Sequence, residues 1–191
     1  MKHHRPHHRL IVKETKKYGK GVFAGELIKK GSIIHMLDGK KTPLTILVDR
    51  IISGKESIDD PFQIGKKTYI DLDALSRTFN HSCNPASGVR KVGEMFALKD
   101  IQKGEEITYD YSLIMAPTEY EMKCKCGFKN CRKKIGHVLT IPEKRREEYQ
   151  KIGNVQRYMR SLLKEVKKNG SYKMPKYEIA ALKKLKAHGI Q

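Results

Sequence analysis

Four cysteines constrain this chain more than any other residues: Cys83 stands alone, whereas Cys124, Cys126 and Cys131 fall in one short stretch. No apolar run reaches the roughly 20 residues that span a bilayer. No apolar segment follows the basic N-terminus in the manner of a secretory signal. The expectation is an intracellular protein, in cytoplasm, nucleoid or nucleus, or in a host cell if delivered. Thiols there stay reduced, and clustered cysteines serve as metal ligands rather than disulfides. A closed structural zinc site takes four ligands. Three come from Cys124-x-Cys126-x4-Cys131, and the remaining thiol is Cys83. His137 is the alternative fourth ligand, which would leave Cys83 as a small core residue. The all-thiol choice predicts that Asn80-His81-Ser82-Cys83-Asn84-Pro85 folds against the zinc loop.

The 191 residues suffice for one core with an appendage. A net charge of +19 drives such a surface toward acidic partners, nucleic acid or nucleoprotein among them, or simply solvates it. Four of the eight His lie in residues 1–9, read as a disordered basic arm. Residues 141–191 carry 14 Lys and Arg against 5 Asp and Glu, about half of the excess charge.

Short apolar runs punctuated by Gly predict strands at 10–12, 22–24, 32–37 and 106–111, with hairpins over 62–72 and 89–98. Leu44, Leu47, Val48, Ile51 and Ile52 form a helical stripe, closed by Gly54. A mainly β fold with short helices follows. Beyond Pro142 the pattern changes. Tyr149, Ile152, Val155, Tyr158, Met159, Leu162, Leu163 and Val166 predict one amphipathic helix over 143–168, ended by Asn169-Gly170. A second helix is expected over 176–187. The tail either docks on the core, forms a dimer face or makes a substrate platform.

Two further stretches carry chemistry. Tyr18-Gly19-Lys20-Gly21 is a turn whose glycines allow close backbone approach. It does not lead from a strand into a helix, so it is neither a dinucleotide fingerprint nor a phosphate loop. In Gly104-Glu105-Glu106-Ile107-Thr108-Tyr109-Asp110-Tyr111, the two tyrosines share one face of a strand. Spacing alone favours packing for that pair.

Taken in order, the Gly-x-Gly turn, Asn80-His81-Ser82-Cys83-x-Pro85, the stretch ending in Tyr109-Asp110-Tyr111 and Cys-x-Cys-x4-Cys resemble SET-domain protein lysine methyltransferases with a post-SET zinc segment. The likeness spans about residues 9–135. It implies several small curved sheets with a pseudoknot; the C-terminal helical extension read above has no counterpart in the resemblance. The divisions expected are an arm at 1–9, the SET domain at 10–115, the post-SET segment at 116–140 and a basic helical extension at 141–191. It implies S-adenosylmethionine as cofactor, contacted by Tyr18, Gly19, Lys20, Gly21, Asn80 and His81, and one Zn2+ on Cys83, Cys124, Cys126 and Cys131. Tyr111 matches the catalytic tyrosine. Tyr109 matches the position that limits methyl addition, so mono- or dimethylation is expected. Phe128 or the 135–139 segment would fold over the cofactor cleft.

The family often places Asn after the Pro of Cys-x-Pro, whereas Ala86 follows Pro85 here. The short insert over 38–60 makes target identity non-transferable. A lysine-containing protein is the implied substrate, a histone or another basic nucleoprotein component included. Direct nucleic-acid contact through the basic surface is an addition to this reading, and no membrane is implied. The rival readings are a SET-like binding module without turnover and a charge-driven, zinc-bearing nucleic-acid-binding protein.

Overall fold

The structure is a computed structural model that describes residues 8–17, 19–119 and 121–190. Residues 1–7 of the arm expected at 1–9, and Tyr18, therefore lie outside the described residues.

Among the described residues, ten short strands make four small antiparallel sheets. β1 (Leu10–Thr15) pairs with β2 (Gly19–Ala24). β3 (Ile33–Met36), β7 (Ser87–Arg90) and β8 (Glu94–Ala97) form a sheet with β8 in the middle. β4 (Gly39–Pro43), β5 (Phe62–Gln63) and β6 (Thr68–Leu72) form another around β6, and β9 (Met122–Lys123) pairs with β10 (Lys134–Ile135). The strand β4 escapes sequence reading because it is polar: Lys40 and Lys41 face solvent on a sheet edge, and the segment is held by backbone pairing to β6 and by the buried Thr42.

The inner faces of the first three sheets meet in one apolar core that includes Val22, Ile28, Ile34, Phe62, Phe79, Met95 and Ile107, whereas β9 and β10 pack with the cysteines. Burying a side chain of this size contributes about 1.5–3 kcal/mol. Helix α1 (Leu44–Ile52) begins after Pro43, whose fixed φ suits a helix entrance, and buries Leu47, Val48 and Ile51.

Two expectations are corrected. Residues 106–111 are not a continuous strand. Glu106 pairs only with Phe23 and Tyr109 only with His81, as isolated bridges, and the chain turns into a 3₁₀ segment at Tyr111–Ile114. The Asp110 side chain accepts the Ser112 amide (3.1 Å) and starts that turn.

The single helix expected over 143–168 is two, α2 (Glu143–Lys151) and α3 (Arg157–Asn169). Gly153 takes φ +74 between them, a conformation open to glycine at no steric cost. The residues that follow leave the helix to satisfy the β framework. Asn154 Oδ1 accepts the Val89 amide (2.8 Å), and Gln156 Nε2 donates to the Gln63 carbonyl (2.6 Å).

The tail docks on the core. Tyr149, Val155, Met159 and Leu162 pack with Leu113, Ala116 and Val138. Helix α4 (Lys176–Ala187) lays Leu185 against Leu47, Val48 and Ile51 of α1.

Candidate active site and metal centre

The bridge between His81 and Tyr109 brings the two chemistry-bearing segments together. Tyr109 donates its amide to the Asn80 carbonyl (3.1 Å), and Ser82 donates to the Tyr109 carbonyl (3.1 Å). This ladder uses Asn80 and Ser82, so the main-chain groups of His81 lie outside it. Asn80 Nδ2 donates to the Lys20 carbonyl (3.0 Å) and to Glu106 Oε1 (2.8 Å). These two bonds tie the Gly-x-Gly strand, the Asn-His segment and the tyrosine segment at one point. Gly21 is required there: a Cβ would stand 2.6 Å from Glu106 Oε1 and 2.8 Å from Asn80 Nδ2. At Gly19 a Cβ would meet nothing within 4 Å, so this end of β2 borders open space.

Tyr109 and Tyr111 lie side by side, ring centroids 4.8 Å apart, although no regular strand carries them. Tyr109 is buried, and burial holds its phenol well above the ordinary range. Tyr111 donates its hydroxyl to the Phe79 carbonyl (2.6 Å). His81 is buried beside it; its Nδ1 accepts the Tyr111 amide (3.2 Å), which leaves the ring proton on Nε2, 3.4 Å from Cys83 Sγ. Burial outweighs the Asp110 carboxylate and lowers the His81 pKa to about 4. The ring faces the thiols, so it is the main chain of His81 that remains for a ligand.

Cys83, Cys124, Cys126 and Cys131 converge, with ligand atoms all within 4.8 Å of one another and Cys83 and Cys124 sulfurs 3.7 Å apart. A tetrahedron with zinc–sulfur bonds of about 2.3 Å has sulfurs about 3.8 Å apart. Amides of Arg132 and Lys133 point at the Cys83 (3.4 Å) and Cys131 (3.3 Å) sulfurs, as they would at thiolates. Burial raises the Cys83 and Cys124 thiols. Burial also opposes ionisation of Cys126, but backbone donors at Cys83 and Phe128 outweigh it and lower that pKa to about 7. Thiols packed this closely ionise together only beside a cation, and the donor set fits a soft dication. His137 is elsewhere; it caps the 3₁₀ segment Val138–Thr140, accepting the Leu139 amide (3.2 Å). Phe128 is half exposed, and Ile135 is buried beside the thiols.

Sequence reading passed over Arg132 and Asp110. Asp110 is fully buried between the tyrosines. Arg132, one residue past Cys131, donates to both its oxygens at 2.7 Å, and the α2 residue Tyr149 donates to it at 3.4 Å. Burial disfavours the Arg132 charge, but Asp110 more than offsets this and raises its pKa. An acid inside a tyrosine pair was the available signal; its partner could not be found from spacing.

A cleft opens beside the tyrosines. Tyr109 and Tyr111 line it together with Val48 of α1, the acids Asp59 and Asp60, and Leu182 of α4. Burial and the neighbouring Asp60 raise the Asp59 pKa. Arg77 places this loop by pairing with Glu56 (3.0 Å) and Asp60 (2.7 Å). The cleft wall is largely apolar; it carries the acids Asp59, Asp60 and Glu178 and the base Arg77, which pairs with Asp60, a lining that suits an apolar channel for a basic side chain.

The SET domain family model matches residues 19–112. This chain carries a SET domain. The SET domain has relatives named histone-lysine N-methyltransferases. ASHH3 of Arabidopsis thaliana is 32% identical over 143 residues, covering 68% of this chain and 39% of that protein. A protein of Debaryomyces hansenii named as H3 lysine-36 specific is 36% identical over 140 residues, covering 66% of this chain and 19% of that protein. The chain thus spans well under half the length of these relatives. Among solved structures, KRYPTONITE in complex with mCHG DNA and SAH superposes with a TM-score of 0.55 at 25% identity, covering 69% of this chain and 30% of that one. The match of residues 19–112 to the SET domain covers both the Gly-x-Gly strand and the tyrosine pair, and ends before the three clustered cysteines.

Proposed function

We propose that this chain is an S-adenosylmethionine-dependent protein-lysine N-methyltransferase that adds one or two methyl groups to a lysine of a histone or another basic protein. The observation that carries the reading is the junction of three segments at Asn80, where the Gly-x-Gly strand, the Asn-His segment and the tyrosine pair meet beside a largely apolar cleft that Tyr109 and Tyr111 line. S-adenosylmethionine, when bound, supplies an electrophilic methyl group on a sulfonium. The open backbone at Gly19 and the His81 main chain outside the ladder fit such a ligand, with Lys20, Gly21 and Asn80 completing its contacts. Cys83, Cys124, Cys126 and Cys131 would hold one Zn2+ that joins the Asn-His segment to the loop after it.

The acceptor amine must be neutral to react. Deprotonating a free lysine at pH 7 costs about 4.6 kcal/mol, and an apolar channel beside a cationic ligand lowers that cost. The Tyr111 hydroxyl orients the amine, and alignment supplies most of the acceleration. The buried Tyr109 hydroxyl occupies space and a hydrogen-bonding position that a second or third methyl group would need.

Chromatin is the setting that the relatives' names support. The basic tail favours added nucleic-acid contact, which would weaken steeply with salt. Incubation of the full chain with labelled S-adenosylmethionine and core histones, read by mass spectrometry, tests the activity. Mono- or dimethyl-lysine should appear with wild type and not with Tyr111→Phe; a wild type that transfers nothing to any lysine-rich protein overturns the reading.

A further inference from the structure

Glu178 lies in the first turn of α4 and is only 5% exposed. Its Oε2 accepts the Tyr172 hydroxyl at 2.8 Å, and its Oε1 has no hydrogen-bond partner among the described residues. A buried carboxylate with an idle oxygen is costly unless something arrives to pair with it. Its surroundings suit a cation. Tyr69 of β6, Tyr158 of α3, Tyr172 of the α3–α4 loop and Tyr177 of α4 all lie close enough to feel its charge. Burial first, and Glu178 second, raises each of these phenols. Tyrosine faces attract ammonium and guanidinium groups. Lys67 already stands over the Tyr177 ring (4.8 Å) and engages that ring rather than the carboxylate. Burial likewise raises the Glu178 pKa, against the Tyr172 bond.

Glu178 also lines the same cleft as Tyr109 and Tyr111, with Asp59 and Asp60 on its wall. Resting on the methyltransferase reading above, we infer that Glu178 is a specificity residue, which receives a second basic side chain of the protein substrate while the target lysine enters between the tyrosines. The residue comes from the helical tail, outside the matched 19–112, so this selectivity is one that the extension adds to the SET domain.

The test uses fluorescein-labelled peptides with one central lysine and one arginine stepped through the flanking positions in a Gly/Ser background, each with a citrulline twin. Binding to the full chain is read by anisotropy. One register should bind arginine about tenfold or more tighter than citrulline, the worth of a charge-assisted hydrogen bond. That ratio should fall to about one in Glu178→Gln and persist in Asp59→Asn and Asp60→Asn. A wild type without any preferred register, or a preference that survives Glu178→Gln, overturns the assignment. Should Glu178→Gln lose the fold, Tyr172→Phe carries the test: it frees the second oxygen, and an unchanged ratio overturns the assignment while a raised one supports it. Methyl transfer to the same peptides is measured in parallel. The histone assay above decides the methyltransferase reading, and the binding ratio decides Glu178 separately.

Discussion

Arg132 grips Asp110 with both Nη atoms, each 2.7 Å from a carboxylate oxygen, and so bolts the cysteine loop to the tyrosine segment. Arg132→Met would leave Asp110 buried and unpaired at a cost of about 3–5 kcal/mol. Denaturant melts should show that loss, with partial recovery when Asp110→Asn is added. Arg132→Lys should rescue little, because an ammonium cannot reproduce the two-pronged fork. An Arg132→Met variant of wild-type stability would show that the pair is not a structural tie.

Tyr111→Phe removes the hydroxyl proposed to orient the amine. Turnover should fall about a hundredfold or more. Cofactor affinity by calorimetry should change little, since the Gly-x-Gly strand is untouched. Full activity in this variant would remove Tyr111 from its role.

Tyr109→Phe deletes only a buried oxygen. The mass distribution of products should shift toward higher methylation, at similar consumption of the methyl donor. An unchanged distribution would mean that the Tyr109 hydroxyl does not limit methyl addition.

Metal analysis of the purified chain should find one zinc. Cys83→Ser, or a strong chelator, should lower the metal content, the melting temperature and the cofactor affinity together, because Cys83 is three residues from Asn80. A mutated tail lysine such as Lys167 should affect none of the three. A fully active, zinc-free chain would exclude the metal's structural part.

Glu94 supplies a pH dependence. It accepts from Arg90 (2.6 Å) and Lys91 (2.7 Å) at the β7–β8 turn. Burial works against its charge, but these two partners prevail and hold its pKa below the ordinary value. Its contribution is therefore complete above the unfolded value of about 4.3 and is lost as pH falls through the folded one. Wild type should exceed Glu94→Gln by about 1–2 kcal/mol at pH 7, and the gap should close as pH falls below the ordinary glutamate range. A gap that is constant with pH would assign the effect to packing.

Sequence patterns made much of the architecture legible. The Leu44 to Ile52 stripe is a helix, the hairpin around Gly65 is present, and α4 occupies the expected residues. Periodicity reads these elements well because each buries one face against a neighbour. The break between α2 and α3 was not legible, since Asn154 and Gln156 leave the helix for partners at Val89 and Gln63, far away in the chain. The non-strand character of 106–111 was hidden for a similar reason: its alternating pattern suits a sheet, but it forms only isolated bridges to Phe23 and His81, and its backbone bonds go to several different segments, at Val22, Asn80, Ser82 and Ser87.

By itself the sequence determined the chemistry on offer: four thiols, a tyrosine pair, an Asn-His segment and glycines that admit close approach. It also determined the charge of the tail. Only the tertiary structure decided that Cys83 stands 3.7 Å from Cys124, that Arg132 locks Asp110, and that the tail docks on the core and brings Glu178 to the cleft. Residue type and spacing encode local periodicity, whereas a pairing across the chain depends on which buried groups must satisfy one another once water is excluded.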